Sequence, residues 1–587
     1  MPKIFLMKTM HIIIKIRHKL FLCVAAVCHF SLIAVFAQDL DRQLILVRPF
    51  DPSVMDAQKI TTLPNLRDSF NVKPSFEYSI ESKRIDTQFD VSPITPARLQ
   101  PLPQTRLYNG YIKIGAGTLP NVLAEVAVNT LRNRDYAAGA LFKLDRAGMD
   151  GKVRIDNENF FAGYNDISGT VFGKRFFRNN SILYGDLGAS MNTVYNYGYD
   201  IDAFKMVDDV KIPVDTAFVR GDILKRYVFA DAKVGIRSSH FRTNQLNYDV
   251  QLAYNFARNK LGDVYVPDYV PDINSDGFVK YHENAVNFKA QLDNNMFGGN
   301  VNMDIYNRSN AFDSLRNNFA IEINPWFMLD NDSVRMKIGA RVSNFEPYIY
   351  PSIEFQFTML KDIFIPFIGY DGYLRPNTYR AIVEENPFIT PGLAVPMTKT
   401  KMQIYAGLKG TITSKLSYYL RADFFSSENE YFFVNDTAYS HVQNHFTVIA
   451  DNLMTYNIRL DLYFNPIEAL DFGLKFNYSH YAPKIEVKAW HKPEFTFDFS
   501  AKYNHRNKII AGLDVICIGK RYAKKFFDPD KEFIELNSAF AVSIGAEYRY
   551  TKNLSFFTKI NSGAKYERWN FFPSHKFNAM AGFTYSL

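Results

Sequence analysis

Apolar and polar residues alternate along most of the chain after residue 107, with the period of two that is typical of β-strands. The alternation is clearest between residues 400 and 478, where aliphatic and aromatic side chains occupy every second position of successive runs. These runs have roughly ten residues or more, whereas strands of soluble sandwiches have about five or six. The pattern predicts an all-β fold of long strands with one apolar face and one charged face.

The charged face of these strands contains residues that a dry protein core does not accommodate cheaply. In a water-filled lumen the charges stay hydrated, while the opposite, apolar face meets lipid. We therefore predict that the following side chains line the lumen of a membrane barrel: Lys409, Arg421, Asp423, Arg459, Asp461 and Lys475. The alternative is a soluble sandwich whose charged face is turned outward to solvent.

The C-terminal segment 575–587 alternates in the same way and ends on the apolar residues Phe583, Tyr585 and Leu587. This ending resembles the closing-strand signal of bacterial outer-membrane β-barrels, which the barrel assembly machinery reads. We expect the segment to pair with the first strand and close the wall. Because many soluble strands also alternate, the rest of the chain has to decide between the two interpretations.

Connection lengths favour the barrel, because short and long connections alternate nearly throughout. If the strands start from a periplasmic side at Tyr108, short polar turns fall near Asn133, Asn179, Gly298, Asn331, Lys361, Thr413, Pro466, Arg506 and Lys552. The long connections are then 147–164, 196–224, 260–282, 376–399, 426–451 and 521–535. Tight periplasmic turns and long outer loops are typical of outer-membrane barrels, and the count closes at about 22 antiparallel strands.

Composition agrees with a barrel. The 587 residues include 52 Phe and 36 Tyr, yet mean hydropathy is slightly below zero, as expected when only every second residue of a strand meets lipid. Cys23 and Cys28 lie near the N-terminus and Cys517 is alone in the rest, so neither a disulfide nor a thiolate metal cluster is expected. Five units of the net charge of +8 come from the first 37 residues, and the remaining +3 gives no indication of a nucleic-acid partner.

Two segments precede the barrel, which we assign to residues 107–587. Residues 1–37 place five cations before an apolar run and small residues at Val35 and Ala37, which predicts a cleaved secretory signal peptide. An uncleaved membrane anchor is the alternative. Residues 38–106 contain eight prolines, which predicts an extended lead-in that lies in the periplasm or in the lumen. A disordered linker is the alternative for this segment.

One stretch matches the spacing of a calcium-binding loop, D-x-[DN]-x-[DN]-G-x5-E. Its candidate ligands are Asp272, Asn274, Asp276, the carbonyl of Phe278, and Glu283. Pro267 and Pro271 precede it, so we expect a calcium-stiffened surface loop rather than an EF-hand, with an Asx-type turn as the alternative. The chain has no Walker loop, zinc-protease motif or nucleophile elbow, and we expect no enzymatic activity. A hydrolase whose site is built from loop residues distant in sequence stays open as an alternative function.

Three segments resemble a known family. They are 72–90 (VKPSFEYSIESKRIDTQFD), the opening hairpin 108–131 (YNGYIKIGAGTLPNVLAEVAVNTL), and 160–177 with GYND followed by FGKRFF. In these segments the chain resembles plugless barrels grouped with the TonB-dependent receptors. The resemblance implies an outer-membrane barrel of the same strand number behind a Pro-rich lead-in. Residues 38–106 are about half as long as a globular plug domain, and no TonB box is evident, which argues against plug-gated import by this chain alone.

These observations predict a protein of the outer membrane of a Gram-negative bacterium. The expected function is a polar pore through which small solutes pass, with selection by the mixed charges of the lumen. The alternative is a barrel that does not transport and serves as a subunit of an outer-membrane assembly or surface-protein complex. The expected partners are outer-membrane lipids, the barrel assembly machinery and a periplasmic or surface lipoprotein.

Overall fold

A computed structural model of the protein describes most of the chain from residue 108 to residue 587. The gaps in this range are residues 119, 132, 149–151, 156–157, 162, 199–204, 208–209, 213–223, 240–244, 262–280, 295, 309–316, 332, 347–348, 361, 391–392, 394, 438–442, 526–531, 564–566 and 574–576. The predicted signal peptide and lead-in lie outside the described residues. No helix among the described residues is long and apolar enough to cross a membrane.

The described chain forms one sheet of 22 antiparallel strands that closes on itself, as the alternating pattern predicted. The strands are β1 (Gly110–Gly117), β2 (Asn121–Asn129), β3 (Tyr136–Ala147), β4 (Tyr164–Phe176), β5 (Ser181–Tyr195), β6 (Leu224–Ser238), β7 (Asn247–Leu261), β8 (His282–Asn294), β9 (Phe297–Arg308), β10 (Asn317–Asp330), β11 (Val334–Ser343), β12 (Ile349–Phe357), β13 (Ile365–Arg375), β14 (Thr398–Thr413), β15 (Leu416–Asn435), β16 (Phe446–Ile467), β17 (Leu470–Pro483), β18 (Phe495–His505), β19 (Ile509–Ile518), β20 (Ala539–Arg549), β21 (Leu554–Gly563) and β22 (Phe577–Ser586). Each strand pairs with its neighbours in the chain.

The last strand closes the wall against the first. In the register of β22 on β1, Phe583 lies opposite Ile114 and Ser586 lies opposite Tyr111. The amide of Leu587 donates to the carbonyl of Gly110 at 2.8 Å, so pairing continues to the final residue. The prediction that the C-terminal strand pairs with the first strand is therefore confirmed, and both ends of the barrel sequence lie at the same end of the barrel.

The outward face of the wall is apolar. Ile404, Leu420 and Ile458 on three successive strands are each more than a third exposed, as expected for side chains that meet lipid rather than a protein core. Phe583 and Tyr585 belong to the same outward face on β22. The alternating residues of each strand point to the other face, which encloses the lumen.

We expect Phe583→Lys to destabilise the folded barrel by about 1–2 kcal/mol, because it places a cation on the lipid face between the interface and the midplane. Ser586→Lys is the matched control and should cost less than about 0.5 kcal/mol. Residue 586 is also on β22, but its side chain is on the lumen face of the strand. Urea-dependent unfolding from lipid vesicles measures both. Equal costs at the two positions would contradict the assignment of the faces.

The two ends of the barrel differ in their connections, as the sequence indicated. Every connection at the end that carries Tyr108 and Leu587 is short, whereas most at the opposite end are long. Four two-stranded hairpins lie in these long connections: Lys152–Ile155 with Glu158–Phe161, Lys205–Val207 with Val210–Ile212, Arg521–Lys524 with Phe533–Leu536, and Glu567–Trp569 with Phe572–Pro573. We call the end with long connections the outer mouth, because long loops face outward in outer-membrane barrels.

One predicted connection is wrong. The sequence indicated a loop over 426–451, but β15 continues to Asn435 and β16 begins at Phe446. The strands continue because Phe432 and Leu453 are buried against Trp490 of the connection 484–494, which replaces lipid as the apolar partner above the bilayer. A change of register between Ser427 and Glu430 interrupts the alternation there, which made the strand difficult to recognise.

Candidate functional site: a polar lumen with a closed outer mouth

The inner wall formed by β14–β16 carries arginine and aspartate side chains two residues apart on one strand. Arg421 Nη2 lies 2.6 Å from Asp423 Oδ1, and Arg459 Nη2 lies 2.6 Å from Asp461 Oδ2. Residues i and i+2 of a strand share a face, so each arginine reaches the aspartate on its own strand. Arg421 is also directly opposite Arg459 in the register, so each aspartate neutralises a cation that would otherwise repel its neighbour.

Aromatic rings hold the same cations from the adjacent strands. The guanidinium of Arg421 lies 3.9 Å from the ring centroid of Tyr405, whose hydroxyl donates to Glu354 at 2.7 Å. The ammonium of Lys409 lies 5.6 Å from the ring centroid of Phe367. In each contact the cation is attracted electrostatically to the face of the ring. This sector of the lumen wall is therefore ordered by its own contacts.

The next sector of the inner wall, on β17–β21, is arranged differently. Lys475 lies opposite Asp461 on one side and Asp498 on the other, yet it forms no ion pair within the described part of the chain. Together with Asp514 and Lys559 it borders a cavity of about 770 Å³ inside the barrel. Charges of both signs face this space. All six predicted lumen residues lie on the inner face; four of them form ion pairs, whereas Lys409 and Lys475 form none with the residues that the structure describes.

The outer mouth is narrowed by the connection 376–397, which folds inward. It contains the one helix of the described residues, α1 (Tyr379–Glu385), which begins where Thr378 Oγ1 accepts from the amide of Ala381 at 3.2 Å. Tyr379, Ile382 and Val383 are the buried residues of α1, at the spacing of one helix face. We call residues 376–390 the strap.

The strap is tied to β6 by side chains. The ammonium of Lys225 donates to the carbonyl of Ile389 at 2.6 Å, and the hydroxyl of Tyr227 donates to the carbonyl of Pro387 at 2.6 Å. Arg380 Nη1 lies 2.6 Å from both carboxylate oxygens of Asp231. Three side chains therefore hold the strap to this wall: Lys225 and Tyr227 extend from β6, and Arg380 extends from α1.

The end of the strap, where residues 387 and 389 contact β6, is also tied to β16 by its backbone. The amide of Phe446 donates to the carbonyl of Phe388 at 3.0 Å, and the amide of Thr390 donates to the carbonyl of Phe446 at 2.7 Å. The hydroxyl of Thr390 donates to Asp436 at 2.6 Å. This pairing extends the sheet of the β15–β16 wall by one short segment.

The hairpin of the connection 564–576 completes the closure. The ring centroids of Phe572 and Phe388 are 4.1 Å apart, and the ring of Trp569 lies 5.7 Å from that of Phe446. Strap, hairpin and walls share one group of buried residues, which we call the mouth cluster: Tyr227, Phe229, Ala257, Tyr281, Tyr379, Ile382, Val383, Ile389, Val395, Phe433, Phe446, Trp569 and Phe572. The cluster is a hydrophobic core built in a place where a simple pore would contain water.

The mouth cluster bridges opposite walls of the barrel. Strands β6 and β16 are ten positions apart in a ring of 22, so they lie nearly across the lumen from each other. A barrel of that strand number is on the order of 40 Å across. The strap touches β6 through Pro387 and Ile389 and touches β16 through Phe388 and Thr390, so these two walls approach each other closely at the mouth.

Two histidines, His445 and His491, are buried at the mouth in the neutral form. His491 Nδ1 donates to the carbonyl of Phe433 at 2.9 Å, and its Nε2 accepts from the amide of Asn570 at 3.3 Å. Burial lowers the pKa of His491 to about 4. Burial, and then the charge of Lys225, hold the pKa of His445 well below its usual value.

Of the five predicted calcium ligands, only Glu283 lies within the described residues. Its carboxylate lies 2.6 Å from Arg308 Nε and accepts from the amide of Tyr379 at 3.0 Å, and both side chains of the ion pair are almost fully buried. Among the described residues no three His, Cys, Asp or Glu side chains form a group that could hold a metal ion. Calcium binding by Asp272, Asn274, Asp276 and Phe278 stays a prediction.

Solved structures with the same barrel fold include a receptor and a transporter. The pyoverdine receptor FpvA from Pseudomonas aeruginosa superposes with a TM-score of 0.56 at 12% identity, over 83% of this chain and 79% of FpvA. The FrpB iron transporter from Neisseria meningitidis gives a TM-score of 0.59 at 10% identity, over 82% of each chain. The chain has the barrel fold of TonB-dependent receptors. No protein-family model and no curated protein matches the chain in sequence.

The fold likeness confirms the resemblance to TonB-dependent receptors that segments of the sequence indicated, and it supports an outer-membrane barrel. The mouth cluster was missed by the sequence reasoning. A signal for it exists in the connection 376–397, where Thr378 is a helix-capping residue and Tyr379, Ile382 and Val383 follow at helical spacing. An apolar helix face inside a surface loop requires a partner, and here the partner is the opposite wall.

Proposed function

We propose that the protein is a transport barrel of the outer membrane through which small polar solutes pass. The observation that supports this function is the inner wall, where ion-paired charges of both signs line a closed barrel of 22 strands. Solved barrels of this fold include a pyoverdine receptor and an iron transporter, which supports passage of a solute as the general task. Mixed wall charge favours solutes that are polar rather than strongly anionic or cationic.

Single-channel recording in planar bilayers tests the pore. We expect Arg421→Gln combined with Arg459→Gln to shift the reversal potential toward cation selectivity, because Asp423 and Asp461 lose their partners and leave two uncompensated negative charges in the lumen. The matched control is Arg506→Gln, which removes a cation from a short turn outside the lumen and should leave selectivity unchanged. Identical selectivity in all three proteins would contradict passage along this wall.

The closed mouth favours a second candidate function, a barrel that does not transport and serves as a subunit of an outer-membrane complex. A hydrophobic core across the mouth is what a filled barrel requires, since its role is to present surfaces rather than to conduct. Purification after mild crosslinking distinguishes the two candidates. A stoichiometric partner that disappears when residues 38–106 are deleted, together with the absence of conductance, would favour the subunit.

A further inference from the structure

We propose that the cavity on the inner face of β17–β21 binds a small zwitterion, a solute with one ammonium group and one carboxylate, such as a dipeptide. This inference rests on the proposed transport function and names the class of solute that the lumen wall holds. The volume of the cavity, about 770 Å³, is within the range of about 300–1,000 Å³ that is typical of small-molecule sites. A solute of dipeptide size therefore has room in it.

A row of short polar side chains crosses the floor of the cavity. Ser500 on β18 lies opposite Asp514 on β19, which lies opposite Ser543 on β20. Ser543 lies in turn opposite Asn561 on β21. Residues directly opposite each other on neighbouring antiparallel strands share one face of the sheet, so these side chains form a continuous row on the lumen side. The row offers hydrogen-bond donors and acceptors, and a single charge, that of Asp514.

Three further charged side chains lie on the two sides of this row. Toward the outer mouth, Lys475 on β17 lies opposite Asp498 on β18. Toward the end with the short turns, Lys559 lies on β21, two residues before Asn561. Asp514 is two strands away from each lysine, which is a separation of about 10 Å across the sheet. The carboxylate of Asp514 therefore lies between two cations.

The charges around this cavity are not neutralised by the wall itself. Within the part of the chain that the structure describes, Lys475, Asp498, Asp514 and Lys559 form no ion pair, and all four are exposed to the lumen. On β15 and β16, by contrast, each arginine of the inner wall is paired with an aspartate on its own strand. Because the four charges cancel, the cavity favours a solute that brings both signs over one that brings a single sign.

The positions of Asp514 and Lys559 set the orientation of the solute. Its ammonium group contacts Asp514 and its carboxylate contacts Lys559. Gly545, opposite Lys559 in the register, leaves space for the lysine to turn toward the cavity, because a Cβ atom there would meet a single backbone oxygen at 3.8 Å. Ile516 and Ala541, which are paired with each other on the outer side of the row, offer an apolar surface to short aliphatic side chains.

Isothermal titration calorimetry of the full-length protein in detergent tests the site with four probes of similar size. They are Ala-Ala, N-acetyl-Ala-Ala, Ala-Ala amide and N-acetyl-Ala-Ala amide, which carry both charges, the negative one, the positive one and neither. We expect Ala-Ala to bind about fivefold more tightly than either singly capped probe, because each cap removes one ion pair that is in contact with water. The doubly capped probe should bind most weakly.

Two variants assign each charge of the solute to a residue. In Lys559→Gln, Ala-Ala should bind no better than Ala-Ala amide, and in Asp514→Asn it should bind no better than N-acetyl-Ala-Ala. The matched control is Lys502→Gln, which removes a cation from the same wall outside the cavity, opposite Gly512, and should leave both preferences unchanged. Heat-modified migration in gels shows that each variant is folded.

Swelling of proteoliposomes keeps this inference separate from the transport function. Equal binding of Ala-Ala and the doubly capped probe, or equal effects of Lys559→Gln and Lys502→Gln, would overturn the site even in vesicles that swell in sorbitol. Vesicles that swell in neither sorbitol nor Ala-Ala, although Ala-Ala binds with the expected preference, would overturn passage and leave the site in place.

Discussion

Glu283→Ala is expected to destabilise the barrel by about 3–5 kcal/mol, because it leaves the guanidinium of Arg308 charged and buried without its partner. Both side chains are less than 5% exposed, so water does not replace the carboxylate. The same substitution leaves the amide of Tyr379, at the start of α1, without an acceptor. Urea unfolding followed by tryptophan fluorescence measures the loss.

The double variant Glu283→Met/Arg308→Met is the control for this experiment. Replacing both members of a buried ion pair with apolar side chains is often close to neutral, so we expect the double variant to be more stable than the single one. Costs that simply add would show that the pair is not the source of the effect. Repeating the measurement with calcium and with a chelator tests the predicted loop, because stabilisation by calcium that Asp276→Ala abolishes would support calcium binding there.

Acidification is expected to open the mouth cluster through His491. Its neutral ring donates through Nδ1 to Phe433 and accepts through Nε2 from Asn570, so a second proton would place a donor against a donor. The pKa of His491 is about 4 in the folded protein, whereas its ordinary value is 6.5. Because folding lowers this pKa, the stabilisation from neutral His491 is fully present above pH 6.5 and is lost as the pH falls toward 4. The free energy of closure should fall by about 3 kcal/mol as the pH drops from 6.5 to 4.

Fluorescence of Trp569 reports this transition, since its ring lies 5.3 Å from that of His491. The measurement uses a Trp326→Phe/Trp490→Phe background, which leaves one tryptophan of the three in the chain. His491→Gln should flatten the response between pH 6.5 and 4, apart from the part that His445 contributes. Replacing His505, which is exposed in a strand at the other end of the barrel, should leave the curve unchanged. A parent protein whose fluorescence does not change with pH would contradict the role of His491.

The sequence was sufficient for the wall because each strand separates two phases, and a side chain such as Leu420 or Arg421 can face only one of them. It was insufficient for the mouth because the contacts there join irregular backbone to side chains far away in the chain, for example Lys225 to the carbonyl of Ile389, 164 residues later. Periodicity carries no information about such pairs.

The same limit explains the error over 426–451. The polar run before Tyr431 contains Asn429 with a φ of 56°, at a bulge where two strand segments meet out of register. Glu430 on that run pairs with Arg375 and Lys492, so acidic residues that suggest a solvated loop are part of a strand. The pattern changes here because the partner of the wall changes from lipid to protein.

The rim of the barrel is uneven. Strands β1 and β2 have 8 and 9 residues, whereas β15 and β16 have 20 and 22, so the wall is lowest at the seam where the chain closes on itself. Eight residues barely cross the apolar layer of a bilayer, and the tip of the first hairpin therefore lies level with the headgroups. The lumen is therefore shielded from the medium by less protein at the seam than beside β15 and β16.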